Sequence, residues 1–303
     1  MIAQAEQFTG INNVDNDRRI QKYQFAEGLI ILSGDLKSCM NFHLPKDGIA
    51  TVRNGMTQKR SATAVTTLWV SKSGDIALLT DGTSLKLLNS DYTLTTKSTI
   101  AAGRDMAFAE HNQKVFMGNG FQMLRYINGT VSAWADTSQA DAEFETPRKV
   151  YRGLPLSDII LSYYARMYAA YGRYVFYSDP LYPERFRKAW HLVAPEDITA
   201  LSCDDNCLYV HTLNFTVPFI GRDPDDFMQM EAKNIGAIKH YPCIPQAVPN
   251  QPIWMSKRGW ATAQGGQVQY LDHENFRLDL PDTARAYPGY DPINKEIICP
   301  IRQ

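Results

Sequence analysis

No Gly-x-Ser-x-Gly elbow, His-Glu-x-x-His pair or phosphate-binding Gly-Lys-Ser/Thr loop occurs in the 303 residues, so the enzyme classes those signatures mark have no support here. No run approaches the roughly 18 apolar residues that cross a bilayer, which argues against a membrane span. Charge of one sign is missing too: 31 basic and 32 acidic residues leave a net charge of -1 without a dense Lys/Arg run, so no broad nucleic-acid footprint is expected. Cysteine is scarce and odd in number (Cys39, Cys203, Cys207, Cys243, Cys299) in a chain too large to need stapling, which agrees with reduced thiols. Residues 1–8 lack the charged head and apolar stretch of a secretory signal, and the expectation is a soluble chain made in a cytoplasm. Helical periodicity is equally scarce.

What is present is a succession of short apolar or alternating runs closed by Gly, Asn or Asp. Clear cases are 26–33 before Gly34-Asp35, Thr67-Leu-Trp-Val-Ser71 and Ile76-Ala-Leu-Leu-Thr80 around Lys72-Ser-Gly-Asp75, and Lys114-Val-Phe-Met117 before Gly118-Asn-Gly120. Gly and Asn tolerate the positive φ that tight hairpins demand. Laid under one another, the hairpins repeat at about 40 residues, the period of a four-stranded propeller blade. The units are 65–100, 105–134, 166–192, 198–235 and 253–271. Segment 136–156 and the Pro-rich 241–252 read as long connections between units, since proline offers no ladder donor.

One small sheet cannot bury both faces, so blades must stack and return to the start. The expectation is therefore an all-β chain: one β-propeller domain spanning 1–303, of six or seven four-stranded blades. The terminal runs, 20–25 and 296–299, suit closure by pairing of N- and C-terminal strands. A β-sandwich with insertions is the structural alternative.

Several clusters invite chemistry. Cys203, Cys207 and His211 have the residue types of a zinc site, but a turn at 204–206 and a strand beyond it put His211 roughly 13 Å from Cys207. Asp204-Asp205 and Gly221-Arg-Asp-Pro-Asp-Asp226 do not follow the spaced acidic loop of a calcium site and read as solvated turns. No metal, cofactor or catalytic residue is expected. The aromatic span 163–186 reads mainly as strand core, leaving Tyr182, Arg185 and Arg187 as surface contacts. Arg222, Asp223, Asp225 and Asp226 join them as candidate interaction residues, and the 136–156 loop is a further contact segment.

Three segments carry a family resemblance. The first is Phe8-Thr-Gly-Ile-Asn-Asn-Val14, continuing through Ala26-Glu-Gly28 to Val52-Arg-Asn-Gly55. The second is Val175-Phe-Tyr-Ser-Asp-Pro180 with Pro183-Glu-Arg-Phe186. The third joins Ile198-Thr-Ala-Leu201, Leu208-Tyr-Val210 with Thr212, Phe219-Ile-Gly221 with Asp223-Pro224, and Gly236-Ala237. Together they resemble the propeller proteins of bacteriophage virions, similar to the packaged-DNA stabilisation or tail-hub proteins of short-tailed phages. The resemblance implies a place in a tail hub, but those proteins are longer, so a baseplate or fibre-attachment ring, without their extra elements, is an equal expectation.

The resemblance implies no catalytic residues, and a structural tail component in a symmetric homo-oligomer, contacting other virion proteins through its loops. It also implies a virion location after synthesis in the bacterial host cytoplasm. A carbohydrate or receptor-binding propeller, with host-surface glycan held in the central channel or between blades, is the first alternative. A propeller hydrolase or lyase is the second, and it requires a pocket of perturbed carboxylates or histidines.

Overall fold

The computed structural model describes residues 21–26, 29–34, 42–43, 51–52, 62, 64–101, 104–134, 151–152, 154–247, 251–271, 278–291 and 296–302. Among them every regular element is a strand except one short 3-10 turn, Pro224–Asp226. No helix among them is long and apolar enough to cross a membrane.

Five consecutive segments form up-and-down antiparallel sheets. Sheet I holds Val65–Val70, Ala77–Asp81, Ser84–Leu88 and Leu94–Thr99. Sheet II holds Ala107–His111, Lys114–Gly118, Met123–Ile127 and Thr130–Ala133. Sheet III holds Ile160–Tyr163, Arg166–Tyr171, Tyr174–Asp179 and Tyr182–Val193, with Tyr151–Arg152 added along the last. Sheet IV holds Ile198–Cys203, Cys207–Thr212, Thr216–Ile220 and Met228–Gln229. Sheet V holds Gln246–Ala247, Gln251–Ser256, Gly259–Gln264 and Gln267–Tyr270.

The turn chemistry explains most of these hairpins. Asn128 and Gly129, both at positive φ (48° and 84°), join Ile127 to its partner Thr130 in the two-residue loop whose twist matches the strands. Three boundaries differ from the sequence reading. Sheet III begins at Ile160–Tyr163 rather than Arg166, because the turn Tyr164-Ala165 contains no Gly, Asn or Asp and Tyr164 itself adopts φ 49°. Sheet V gains Gln246–Ala247 in front of the strand the sequence placed first. The run 26–33 contributes to a hairpin, Gln21–Ala26 against Leu29–Gly34, rather than to one strand.

Each sheet packs its faces on its neighbours, and the two-residue period sorts the side chains. From sheet III, Met167 and Ala169 face sheet II in a cluster with Phe116 and Trp134. Tyr168 and Ala170, one position on, face sheet IV with Leu208 and Val210. From sheet IV, Cys207 and Tyr209 face sheet V with Trp254 and Ala261. Trp69 and Leu85 of sheet I meet Phe108 and Val115 of sheet II. First strands of sheets II, III and IV lie beside one another, while the fourth strands of sheets I, II and IV are largely exposed. In these sheets burial thus falls from the adjoining first strands toward the fourth.

Sheet I is the exception. Its first strand buries Thr67 and Trp69 toward sheet II but leaves Leu68 and Val70 49% and 51% exposed on the other face. The expected pairing of an N-terminal with a C-terminal strand is not seen among the described residues. Gln21–Ala26 pairs with Leu29–Gly34, Glu296–Ile298 with Gly289–Asp291, and Ile301–Arg302 with Arg285–Ala286.

Between sheets IV and V the chain crosses the inner strands. The Pro242 carbonyl accepts from Phe108 N–H of sheet II (3.2 Å), and Cys243 packs on the sheet I–II core. Lys239–His240 runs parallel to Arg285–Ala286. His240, Pro242, Cys243 and Ile244 lie against Ala107, Ile160, Ala200 and Leu201 of the first strands and leave only a small, partly open gap between them.

Two carboxylates hold this crossing. Asp158, two residues ahead of sheet III, takes the Lys239 ammonium and the Tyr241 hydroxyl (2.6 Å). Asp105, two residues ahead of sheet II and 1% exposed at its side chain, takes Arg285 (2.5 Å) and the Tyr287 hydroxyl (3.0 Å). Asp105→Asn, which removes the charge from this buried acceptor, is expected to cost about 2 kcal/mol in urea unfolding. An unchanged midpoint would show that the latch carries no stability. Gly236→Ala is a sharper test of packing, since its Cβ would stand 2.3 Å from the Leu213 carbonyl oxygen. A loss of roughly 1–3 kcal/mol is expected in the same assay.

Candidate interaction surface

In an up-and-down sheet the turn between strands one and two and the turn between strands three and four share one end. In sheet III these are Tyr164-Ala165 and Pro180-Leu181, tied by Leu181 N–H donating to the Ala165 carbonyl (2.7 Å). In sheet IV they are 204–206 and 221–227, tied by Gly221 N–H to the Asn206 carbonyl (2.8 Å). The Tyr163 hydroxyl donates to the Gly221 carbonyl (2.5 Å) and the Tyr164 hydroxyl to the Asp205 carbonyl, so the two sheets share one rim. The buried Asp204 carboxylate extends the rim to sheet V by accepting from Tyr209 (2.7 Å) and from Gly265 N–H (2.7 Å).

A bulge builds the most ordered part of this rim. Phe176 pairs with His191 and Ser178 with Phe186, so Tyr177 alone faces residues 187–190. Bulges of this kind re-aim side chains. Here Trp190 stacks on Tyr177 (5.4 Å between ring centres, 23°) and carries the Arg187 guanidinium 4.1 Å above its ring. Arg166, 6% exposed at its side chain, stands 5.1 Å from the Trp190 ring and reaches across to sheet IV. Its Nε and Nη2 grip both oxygens of Asp223 (2.9–3.1 Å), and Nη1 donates to the Ser178 carbonyl (2.8 Å). Asp223 in turn caps the 3-10 turn by accepting from Asp225 N–H, with Pro224 at its first position. On the same face of the strand as Arg166, the Tyr168 hydroxyl is buried with no protein partner among the described residues, and burial raises its pKa.

All seven residues singled out from sequence lie on this rim. Tyr182 is 50% exposed and lies under the Arg185 guanidinium (4.1 Å). Arg187 is paired with Asp179 (2.8 Å) as well as stacked on Trp190. Arg222 bonds Asn206 (3.3 Å) and lies 5.4 Å from the Tyr164 ring. Asp223 is the partner of Arg166, while Asp225 and Asp226 point from the exposed face of the turn. The contact loop at 136–156 lies mostly outside the described residues. Sequence reasoning missed Arg166, Trp190, Tyr164 and Leu181. Arg166 and Trp190 read as strand residues, and nothing in Pro180-Leu181 announces that Leu181 holds φ 65° with its side chain 65% exposed.

The motif segments have structural reasons for their wording. Ser178 Oγ, fully buried, accepts from Met167 N–H (3.0 Å). Glu184 pairs with Arg125 of sheet II (2.9 Å), and Phe186 is buried between sheets II and III. Gly221, at φ +136°, leaves no room for a Cβ, which would stand 2.9 Å from the Asp226 carbonyl. Most of the first motif segment lies outside the described residues.

The cysteine–histidine cluster comes apart in space. Cys203 faces sheet III and Cys207 faces sheet V, on opposite sides of sheet IV. Burial pushes the Cys207 thiol up to about 12. His211 uses both ring nitrogens, on Ser202 (2.7 Å) and Thr216 (2.8 Å). Burial lowers the pKa of His211 well below 6.5 and that of His240 to about 4.

No protein-family model and no curated protein matches the chain. Among solved structures, it is similar to the extracellular domain of the putative hybrid two component system BT4673 from B. thetaiotaomicron, at 12% identity and a TM-score of 0.51. That superposition covers 96% of this chain but only 38% of the other, so the likeness is one of fold. XC5397 of Xanthomonas campestris, a gluconolactonase (12% identity, TM-score 0.47, 79% of this chain and 83% of that one), is a looser match. So is the WD40 beta propeller domain of Doa1 (9%, 0.47, 78% and 74%). These two are too loose to bear on this chain's chemistry.

Arg166→Ala is expected to lower stability by about 2 kcal/mol and to speed hydrogen exchange at 222–227, with Arg166→Lys a poor rescue because it cannot make the two-pronged contact. Unchanged exchange in that loop would remove Arg166 as its anchor. The histidines set a pH dependence. Both are held neutral in the fold, so below pH 6.5 the unfolded chain binds protons that the native state refuses. Stability should be flat above about pH 7 and fall as pH drops from 6.5 toward 4, by roughly 1.4 kcal/mol per pH unit for each histidine. Thermal melts that stay level across that window would show that both rings titrate normally.

Proposed function

We propose that the chain is a single closed β-propeller of six or seven blades, spanning 1–303, that works without catalysis as a structural component of a bacteriophage tail. In this reading it forms part of a hub, baseplate or fibre-attachment ring, and its rim loops contact neighbouring virion proteins. It is made in the host cytoplasm and ends in the particle. Closure comes from the terminal strands, with the hairpin Gln21–Ala26 and Leu29–Gly34 supplying the neighbour that the open Leu68 and Val70 face of sheet I calls for.

The observation that carries the assembly reading is the rim of sheets III and IV. It combines exposed Tyr164, Leu181 and Tyr182 with arginines stacked on aromatic rings, the residue types that anchor protein interfaces. It is also built from two of the three segments that resemble virion propellers, 175–186 and 198–237. The glycan alternative draws less support. The Trp190 ring, an aromatic face on which a sugar would stack, is already covered by Arg187.

Quantitative mass spectrometry of purified particles, with portal and tube proteins as standards, is expected to return a low fixed copy number for this chain. Absence from the particles would overturn the tail assignment and favour glycan and hydrolase assays on the purified protein.

A further inference from the structure

An asparagine side-chain amide is open to attack by the next backbone nitrogen, most of all before glycine, which has no Cβ to stand in the way. The chain places Asn before Gly three times, at Asn54-Gly55, Asn119-Gly120 and Asn128-Gly129. The first pair lies outside the described residues. The other two differ in every feature that governs the reaction. Asn119 is 3% exposed, and its Oδ1 accepts from Phe121 N–H (3.0 Å) and Gln122 N–H (2.8 Å). Gly120 N–H donates to the Ser157 carbonyl (3.2 Å), so amide and nucleophile are both engaged there. Asn128 and Gly129 instead form the exposed loop that joins Ile127 to Thr130. Neither the Asn128 side chain nor the Gly129 N–H has a hydrogen-bond partner among the described residues. The Gly129 carbonyl accepts from Lys97 Nζ of sheet I (3.2 Å), which leaves the Gly129 nitrogen untouched.

We propose that Asn128 is a self-modification site, where the native fold permits a reaction with water that it denies to Asn119. The Gly129 nitrogen bonds to Asn128 Cγ and gives up its proton, while the Cγ–Nδ2 bond breaks and Nδ2 leaves with that proton as ammonia. Water then opens the five-membered imide. Opening at Cγ gives aspartate, and opening at the main-chain carbonyl gives isoaspartate, whose backbone runs through Cβ and Cγ. Either product puts a carboxylate into the loop that Lys97 already reaches. Isoaspartate also lengthens the backbone of a loop whose two-residue span sets the Ile127–Thr130 pairing, so the outer strand Thr130–Ala133 loosens. This chemistry is independent of the tail assignment.

Peptide mapping with isoaspartate detection, after the folded chain has aged in warm, mildly alkaline buffer, tests it. The peptide holding Asn128 should gain the mass difference between an amide and an acid. The peptide holding Asn119 should stay unchanged until urea unfolds the chain, when both convert. Asn128→Gly suits the positive φ of the loop and should leave that peptide unmodified, with thermal melts confirming that the variant is folded. Hydrogen exchange at 130–133 should be about fivefold or more faster in aged wild type than in fresh, and unchanged by ageing in Asn128→Gly. Asn128 intact in the aged folded chain, or Asn119 converting as fast as Asn128, would overturn the site. Exchange at 130–133 that stays the same after conversion would overturn the loosening of the strand.

Discussion

The constraint on which this structure depends is that a small antiparallel sheet with apolar residues on both faces must be covered twice. Sheet III shows it most plainly. Met167 and Ala169 are useless to sheet IV, and Tyr168 and Ala170 to sheet II, so neither neighbour substitutes for the other. Applied in succession, this rule stacks five sheets and makes the connections short wherever consecutive sheets touch, as at 194–197. Sheet I has one covered face and one open one, and its exposed Leu68 and Val70 mark where the same rule still demands a neighbour.

Polar groups act at the two ends of this apolar stack, and differently at each. Beside the first strands of sheets II and III, Asp105 and Asp158 bind cations and tyrosine hydroxyls of the crossing segment and the C-terminal strands, linking residues about 80 to 180 positions apart. A carboxylate buried as deeply as that of Asp105 is tolerable only when paired and hydrogen-bonded, which it is. At the rim, Arg166 and Asp223 clamp sheet III to sheet IV and hold the 223–226 turn in place, so that the exposed residues around it keep a fixed arrangement. A stack whose turns are tied to one another in this way presents its exposed side chains in a set pattern.

The all-β pattern of repeated four-stranded sheets was legible in the sequence because its period is local. Alternation within strands, Asn128-Gly129 and Gly265-Gly266 turns, and a repeat of about 40 residues require no knowledge of distant contacts. What the repeat concealed were strands bounded by atypical turns. Ile160–Tyr163 hid behind Tyr164, a residue that takes positive φ here because the Tyr164 hydroxyl and the neighbouring turn hold it. The seven candidate residues were singled out by their exposure-prone types, whereas Arg166, which holds Asp223, was left with the strand core, since a buried arginine inside an apolar strand carries no signal of the partner 57 positions away.

By itself, then, the sequence determined the element type, the repeat and the lack of any familiar catalytic motif, because these follow from nearest-neighbour backbone preferences and from residue identity. Only the tertiary structure decided that Cys203 and Cys207 part to opposite faces and that His211 spends its nitrogens on Ser202 and Thr216. It also decided that the segment between sheets IV and V returns to sheet II, where the Pro242 carbonyl meets Phe108 N–H, and that a bulge stacks Trp190 beneath Arg187. Those outcomes depend on which sheet faces which, and facing is a property of the packed whole that no window of sequence contains.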